Sequence, residues 1–173
     1  MKKIILSTLI ISVLGVTFCS KTEAPAEAKG KIRWYSFNEG IKAAADQKKP
    51  VIVDFYADWC TWCVKMEEEV FMEPKVLEKL KSDFIMIRID TEAEEKIKYK
   101  GKTYTTHEFS TAFQVTGLPT LLFIDKAGEP VTKIPGYITA DVFIQLITYM
   151  ADECYSKKIN FQDYQKGLAK CND

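Results

Sequence analysis

The run Val51-Ile52-Val53-Asp54-Phe55-Tyr56 is almost continuously apolar, β-branched and aromatic, and no other feature of the chain limits its architecture so strongly. Runs of this kind mark strands covered on both faces of a sheet. Soon after it comes Cys60-Thr61-Trp62-Cys63, and helix-type sequence continues from Cys60 to about Val70. A buried strand must therefore deliver a C-x-x-C pair to the start of a helix. Further central strands are expected at Phe84 to Asp90 and at Thr120 to Ile124.

The rest of the chain supplies layers for that sheet. Ile32 to Tyr35 alternates like an edge strand, and Ser36-Phe37-Asn38-Glu39 has the S-x-x-E form of a capping box that opens a helix through Ala45. Pro74 to Lys81 carries the apolar stripe Val76, Leu77 and Leu80, and His107 to Phe113 predicts another helix. Asp125 to Gly128 reads as a turn from which Val131 to Ile134 pairs back as a hairpin. A helix capped by Thr139 or Asp141 follows, with Val142, Phe143, Leu146, Ile147 and Met150 on its apolar side. The last helix starts at Asn160 and carries Phe161, Tyr164 and Leu168. Thr91 to Thr106, polar and rich in Lys and Glu, reads as a surface insertion. Together these elements predict an α/β protein with a central mixed sheet flanked by helices.

Bulk properties exclude several function classes. The 173 residues are 47% hydrophobic, enough for one sizeable core and too much for disorder. Twenty-four basic residues balance 24 acidic ones, interspersed along the chain, so charge points to neither nucleic acid nor an anionic membrane as a partner. Glu67-Glu68-Glu69 reads as a solvated helix face, His107 as a surface residue, and Trp34, Tyr35 and Phe37 as packing residues.

The start of the chain reads as an export signal. Met1-Lys2-Lys3 is basic, and Ile4 to Phe18 is a nearly unbroken apolar run, short for a bilayer span but suited to a signal h-region. Residues 1–18 are therefore assigned as signal peptide and 19–31 as a flexible tether. The domain proper is expected at 32–155, and a helical extension at 156–173. Leu14 to Ser20 resembles a bacterial lipoprotein signal, in which Cys19 would be lipidated, although Phe18 departs from the small residue preferred there. Ordinary cleavage near Ala24-Pro25-Ala26 or Ala26-Glu27-Ala28 stays open. Either route leads out of the cytoplasm, where stable disulfides persist. Cys154 and Cys171 are then candidates for a structural bridge, worth roughly 3 kcal/mol in the chain-entropy picture; two unlinked thiols remain the alternative.

The chemistry centres on Cys60 and Cys63. A helix start stabilises a thiolate, and C-x-x-C spacing puts the second sulfur one turn on, within disulfide reach. Cys60 is expected to be the exposed nucleophile and Cys63 the less accessible resolving thiol. A zinc site would need about four ligands, and the sequence offers few, so no metal is expected. Asp54, a carboxylate in a buried strand, should have a raised pKa and suits a proton acceptor for the resolving thiol. Pro119, in Gly117-Leu118-Pro119-Thr120, opens a strand, and residues alone leave its cis or trans state undecided.

Val53 to Cys63, read with Gly117-Leu118-Pro119-Thr120, resembles the thioredoxin superfamily, with a match from about Val51 to Tyr155. The resemblance implies the thioredoxin fold, with an insertion before the helix that leads to a cis Pro119, and a C-terminal helical extension. It also implies that Leu118 offers its backbone to a bound substrate chain, with Trp59 and Trp62 beside it. The redox-active disulfide would be the only cofactor, and a monomer is expected. The likeness extends to exported bacterial thiol–disulfide reductases of the periplasm or cell envelope, which take electrons from a membrane thiol donor and act on client proteins with disulfides. Thr61-Trp62 matches neither the Gly-Pro of cytoplasmic thioredoxins nor the Pro-His or Gly-His of oxidases. The missing histidine and retained Asp54 favour a reductase. An oxidase or isomerase, or a non-catalytic binding module, remains open. The lysine that usually neighbours the buried acid would fall near Met86, which predicts an Asp54 still harder to ionise.

Overall fold

The computed structural model describes residues 30–171. The expected signal at 1–18, Cys19 and most of the tether lie outside the described residues. β1 (Trp34–Tyr35), α1 (Phe37–Gln47) and β2 (Val51–Tyr56) come first, followed by α2 (Thr61–Lys65), α3 (Pro74–Asp83) and β3 (Ile85–Asp90). Next are β4 (Lys96–Tyr99), β5 (Lys102–Thr105), α4 (Thr106–Ala112), β6 (Thr120–Ile124) and β7 (Pro130–Pro135), and then α5 (Ala140–Ala151) and α6 (Phe161–Gln165).

The main sheet has the order β1-β3-β2-β6-β7. β1 and β2 run parallel to β3, whereas β6 is antiparallel to both β2 and β7, so the sheet is mixed. β2 thus has a neighbour along both edges, as its apolar run requires. Its side chains alternate between two cores. Val51, Val53 and Phe55 join Phe37, Ile87 and Phe109 on one face. Ile52 faces the other core, with Met66, Val70, Leu80 and Phe143. By the period of two, Asp54 points to the same side as Ile52. Each large side chain buried here contributes roughly 1.5–3 kcal/mol. Gly40 lets α1 lie directly on β3, because any Cβ there would collide with the Ile87 side chain.

Two local expectations change. The S-x-x-E at Ser36 forms no cap to the backbone; the Ser36 hydroxyl instead donates to Glu39 Oε2 at 2.7 Å. A true capping box stands at Thr105, whose side chain accepts from the Glu108 N–H while the Glu108 carboxylate accepts from the Thr105 N–H. The Lys/Glu-rich insertion is a hairpin, β4–β5, with its lysines outward and Ile97 and Tyr99 buried against Phe37, Phe109 and Phe113. Its alternation of Lys with Ile or Tyr is the ordinary signature of a strand with one face buried.

Beyond α5, the chain turns through a 3₁₀ segment, Cys154–Lys157, into α6. Cys154 and Cys171 are bridged, with Cα atoms 5.1 Å apart. Tyr149 donates to the Ile159 carbonyl at 2.6 Å, and its ring packs on Phe161 and Tyr164. The extension therefore closes over one end of the core.

Candidate active site

β2 ends at Tyr56, and the chain reaches Cys60 through an exposed turn that carries Asp58 and Trp59. Cys60 is the N-cap of α2: its backbone is extended, and its Sγ accepts from the Cys63 N–H at 3.1 Å. Cys60 and Cys63 are disulfide-bonded, with Cα atoms 5.2 Å apart. The expected contrast in exposure is absent in this oxidised form, since Cys60 is 4% and Cys63 8% exposed. Bonding separates the two sulfurs instead, because the helix-start N–H points at Cys60. α2 then widens into a π-type turn at Met66–Phe71, a feature frequent near functional sites.

Asp54 is 2% exposed, and burial pushes its carboxyl up to about 6 despite a cation beside it. That cation corrects the expectation of an isolated acid. Arg88, directly opposite Asp54 in the β2–β3 register, donates Nε to Asp54 Oδ2 at 3.1 Å, with Nη2 at 3.1 Å from the same oxygen. Its Nη1 donates to Glu67 Oε2 at 3.0 Å. The guanidinium lies 3.9 Å from the Trp34 ring centroid and 4.9 Å from that of Tyr56. Glu67 sits one turn beyond Cys63, so Arg88 ties the helix of the reactive pair to the strand beneath it. Asp54 Oδ1 is buried without a hydrogen-bond partner among the described residues.

The Leu118–Pro119 bond is cis, and Pro119 is buried. Thr120 pairs with Phe55, which puts Pro119 at the end of the sheet where β2 runs out towards Cys60. The Thr120 hydroxyl donates to the Gly117 carbonyl at 2.7 Å, and the Gly136 N–H donates to the Pro119 carbonyl at 2.7 Å. Trp59 is 68% and Trp62 54% exposed, and Leu118 is partly exposed.

Sequence reasoning missed Arg88, although it is the one cation in β3 and interrupts its apolar run. It also took all of Glu67-Glu68-Glu69 as solvated. Glu67 binds Arg88, and Glu69 accepts from the Tyr137 hydroxyl at 2.9 Å. Trp34 and Phe37 do pack, Trp34 against Phe71 and Phe37 against Phe109. His107 is exposed on α4, well apart in sequence from the pair. Among the described residues, no three His, Cys, Asp or Glu side chains group as a metal site, and no helix is long and apolar enough to cross a membrane.

Comparison with known proteins agrees with this geometry. A family model described as thioredoxin-like domain matches residues 37–151. The thiol:disulfide interchange protein DsbD of Vibrio vulnificus (strain CMCP6) is 36% identical over 109 residues, 62% of this chain and 17% of that protein. DsbD of Salmonella paratyphi A is 30% identical over 146 residues, 81% of this chain and 24% of that protein. The chain thus spans at most about a quarter of the length of these curated relatives. A thioredoxin-fold protein from Helicobacter pylori superposes with a TM-score of 0.62 at 19% identity, covering 78% of this chain and 83% of that one. A thioredoxin from Thermus thermophilus gives 0.57 at 24% identity, covering 69% and 86%. At such identities these two structures speak for the fold alone. Since the family model runs from α1 through α5 and takes in the cysteine pair, the buried acid and the cis-proline, the chain belongs to the thioredoxin-like domain family.

Proposed function

We propose that this protein is an exported thiol–disulfide oxidoreductase that reduces disulfides of client proteins in the cell envelope, with the Cys60–Cys63 pair as its redox group. One observation carries the reading: the bridged pair opens a helix directly after a buried strand that holds a carboxyl with a pKa near 6. The interchange activity named for the DsbD relatives supports it.

In the reduced protein, the Cys60 thiolate is stabilised by the N–H groups of the helix start and attacks one sulfur of the client disulfide. An S–S bond forms between Cys60 and the client, and the other client sulfur leaves as a thiolate that takes up a proton. Asp54 then accepts the Cys63 proton. The Cys63 thiolate attacks Cys60 Sγ, expels the second client thiolate and closes the disulfide seen here. The client gains two electrons, which a dithiol donor at the membrane restores to the pair. Pro119 faces the pair, and Leu118, Trp59 and Trp62 contact the client chain. The apolar start at Ile4–Phe18 supports export, and Cys19 is the candidate lipid anchor.

The reduction potential of the pair tests the direction of electron flow. A value near −270 mV fits a reductase, whereas a value near −120 mV assigns the chain to the oxidases.

A further inference from the structure

Large apolar side chains are exposed at few places among the described residues, and three of them, Trp59, Trp62 and Val64, lie within the segment around Cys60–Cys63. The two exposed indoles, Trp59 and Trp62, lie within three residues of Cys60. Of these, Trp62 is held from outside its own turn. The Tyr137 ring packs on it with centroids 5.5 Å apart and planes inclined by 48°, and Lys65 Nζ lies 5.0 Å from its centroid. Tyr137 is itself fixed, because its hydroxyl donates to Glu69 Oε2 at 2.9 Å. Its neighbour Gly136 donates to the Pro119 carbonyl at 2.7 Å.

Tyr137 therefore spans two walls. One is the helix that carries the cysteines, which it reaches at Trp62 and Glu69. The other is the cis-proline loop, to which its own segment is bonded. An incoming chain that brings a sulfur to Cys60 lies between these walls, beside an indole whose angle is already set. An aromatic surface ordered in advance loses little freedom when it is covered, so it rewards an apolar neighbour of the reacting cysteine more than a polar one.

We propose that Tyr137 is a positioning residue that braces Trp62 as a platform for large apolar or aromatic side chains adjacent to the client cysteine, and so sets which protein disulfides this chain prefers. The inference rests on the thiol–disulfide exchange proposed above.

The test uses two synthetic disulfide-linked peptides that differ only in Phe or Ser beside the cysteine. Reduction by the dithiol form of the protein is followed for each. The Phe peptide is expected to have the higher kcat/KM, by about tenfold and mainly through KM, the scale of one well-packed aromatic contact. In Tyr137→Ala that ratio falls towards one. Tyr137→Phe, which keeps the ring but loses the bond to Glu69, gives an intermediate ratio. Glu69→Ala alters an exposed side chain and lowers the ratio by about twofold to threefold, the scale of one hydrogen bond near the surface. Equal kcat/KM for the two peptides with the unmodified protein overturns the proposal. So does a loss in Tyr137→Ala that is the same for both peptides. If the unmodified protein reduces neither peptide, the exchange function itself is overturned.

Discussion

Among the described residues, two disulfides of the same bond type stand in different settings. Cys60–Cys63 closes a sequence separation of 3 at a helix start, with the exposed Trp59 and Trp62 close by in sequence. A buried acid and a shared arginine lie in the strands below. Cys154–Cys171 closes a separation of 17 residues and is packed in the apolar core with Met150, Phe161 and Tyr164. Lys157 donates to the Cys171 carbonyl, which fastens the loop a second time. Reactivity therefore comes from the surroundings of the bond. The first pair opens a helix, with an N–H directed at Cys60 Sγ and a buried acid in the strand that leads to it, while the second has a longer loop to close. Under the proposed function, the first exchanges and the second staples.

Cys60→Ser puts that contrast under the hardest strain. Turnover of a protein disulfide should fall at least about a thousandfold, because the mixed disulfide can no longer form at the helix start. The double variant Cys154→Ser with Cys171→Ser should keep turnover within about twofold of the parent. Steady-state rates decide it, and a large loss in the double variant would merge the two disulfides into one functional unit.

Asp54→Asn sharpens the reactive side. If Asp54 is the proton acceptor proposed above, its loss should slow release of the mixed disulfide by about a hundredfold at neutral pH, as read by quenched-flow trapping. Stability should move the other way. Because the folded protein raises the Asp54 pKa from 3.8 to about 6, the acid contributes stability that is complete below 3.8 and is lost as pH rises through about 6. The loss amounts to about 3 kcal/mol. Urea unfolding of the oxidised protein at pH 4 and pH 7 should show it, and Asp54→Asn should lack that part of the pH dependence. An unchanged pH dependence in the variant would mean that Asp54 is already neutralised by Arg88.

The staple acts on stability alone. Removing Cys154 and Cys171 together should lower unfolding free energy by about 3 kcal/mol, whereas reducing Cys60–Cys63 should cost roughly half as much by the same loop-entropy reasoning. Chemical denaturation of each form measures both. Equal losses would say that the environment of the reactive pair stores more stability than its loop length implies.

The contrast also separates what was legible in the sequence from what was not. β2, the C-x-x-C and the acid are local patterns: six residues of one character, a fixed spacing and one charge out of place. They needed no partner to be read. Arg88 is significant only because the register sets it opposite Asp54, and register is a property of two strands. Glu67 and Glu69 look like solvent-facing charge until Arg88 and Tyr137 arrive from distant segments. The S-x-x-E pattern occurs at both Ser36 and Thr105 in Thr form, yet only the second closes on its backbone, since cap geometry depends on where each side chain finds its shortest partner. The β4–β5 hairpin was hidden by its lysines, which outweigh Ile97 and Tyr99 in composition but not in packing.

β2 is bonded along its length, to β3 on one edge and β6 on the other, and it ends just before Cys60. This has a mechanical side. In the proposed mixed disulfide, any tug from the client's unfolded chain would enter the protein at Cys60 and run back along the strand axis. Both hydrogen-bond ladders then take the load in shear, sharing it across many bonds instead of opening them one after another. The proposed attachment point is thus anchored on a strand paired along both edges.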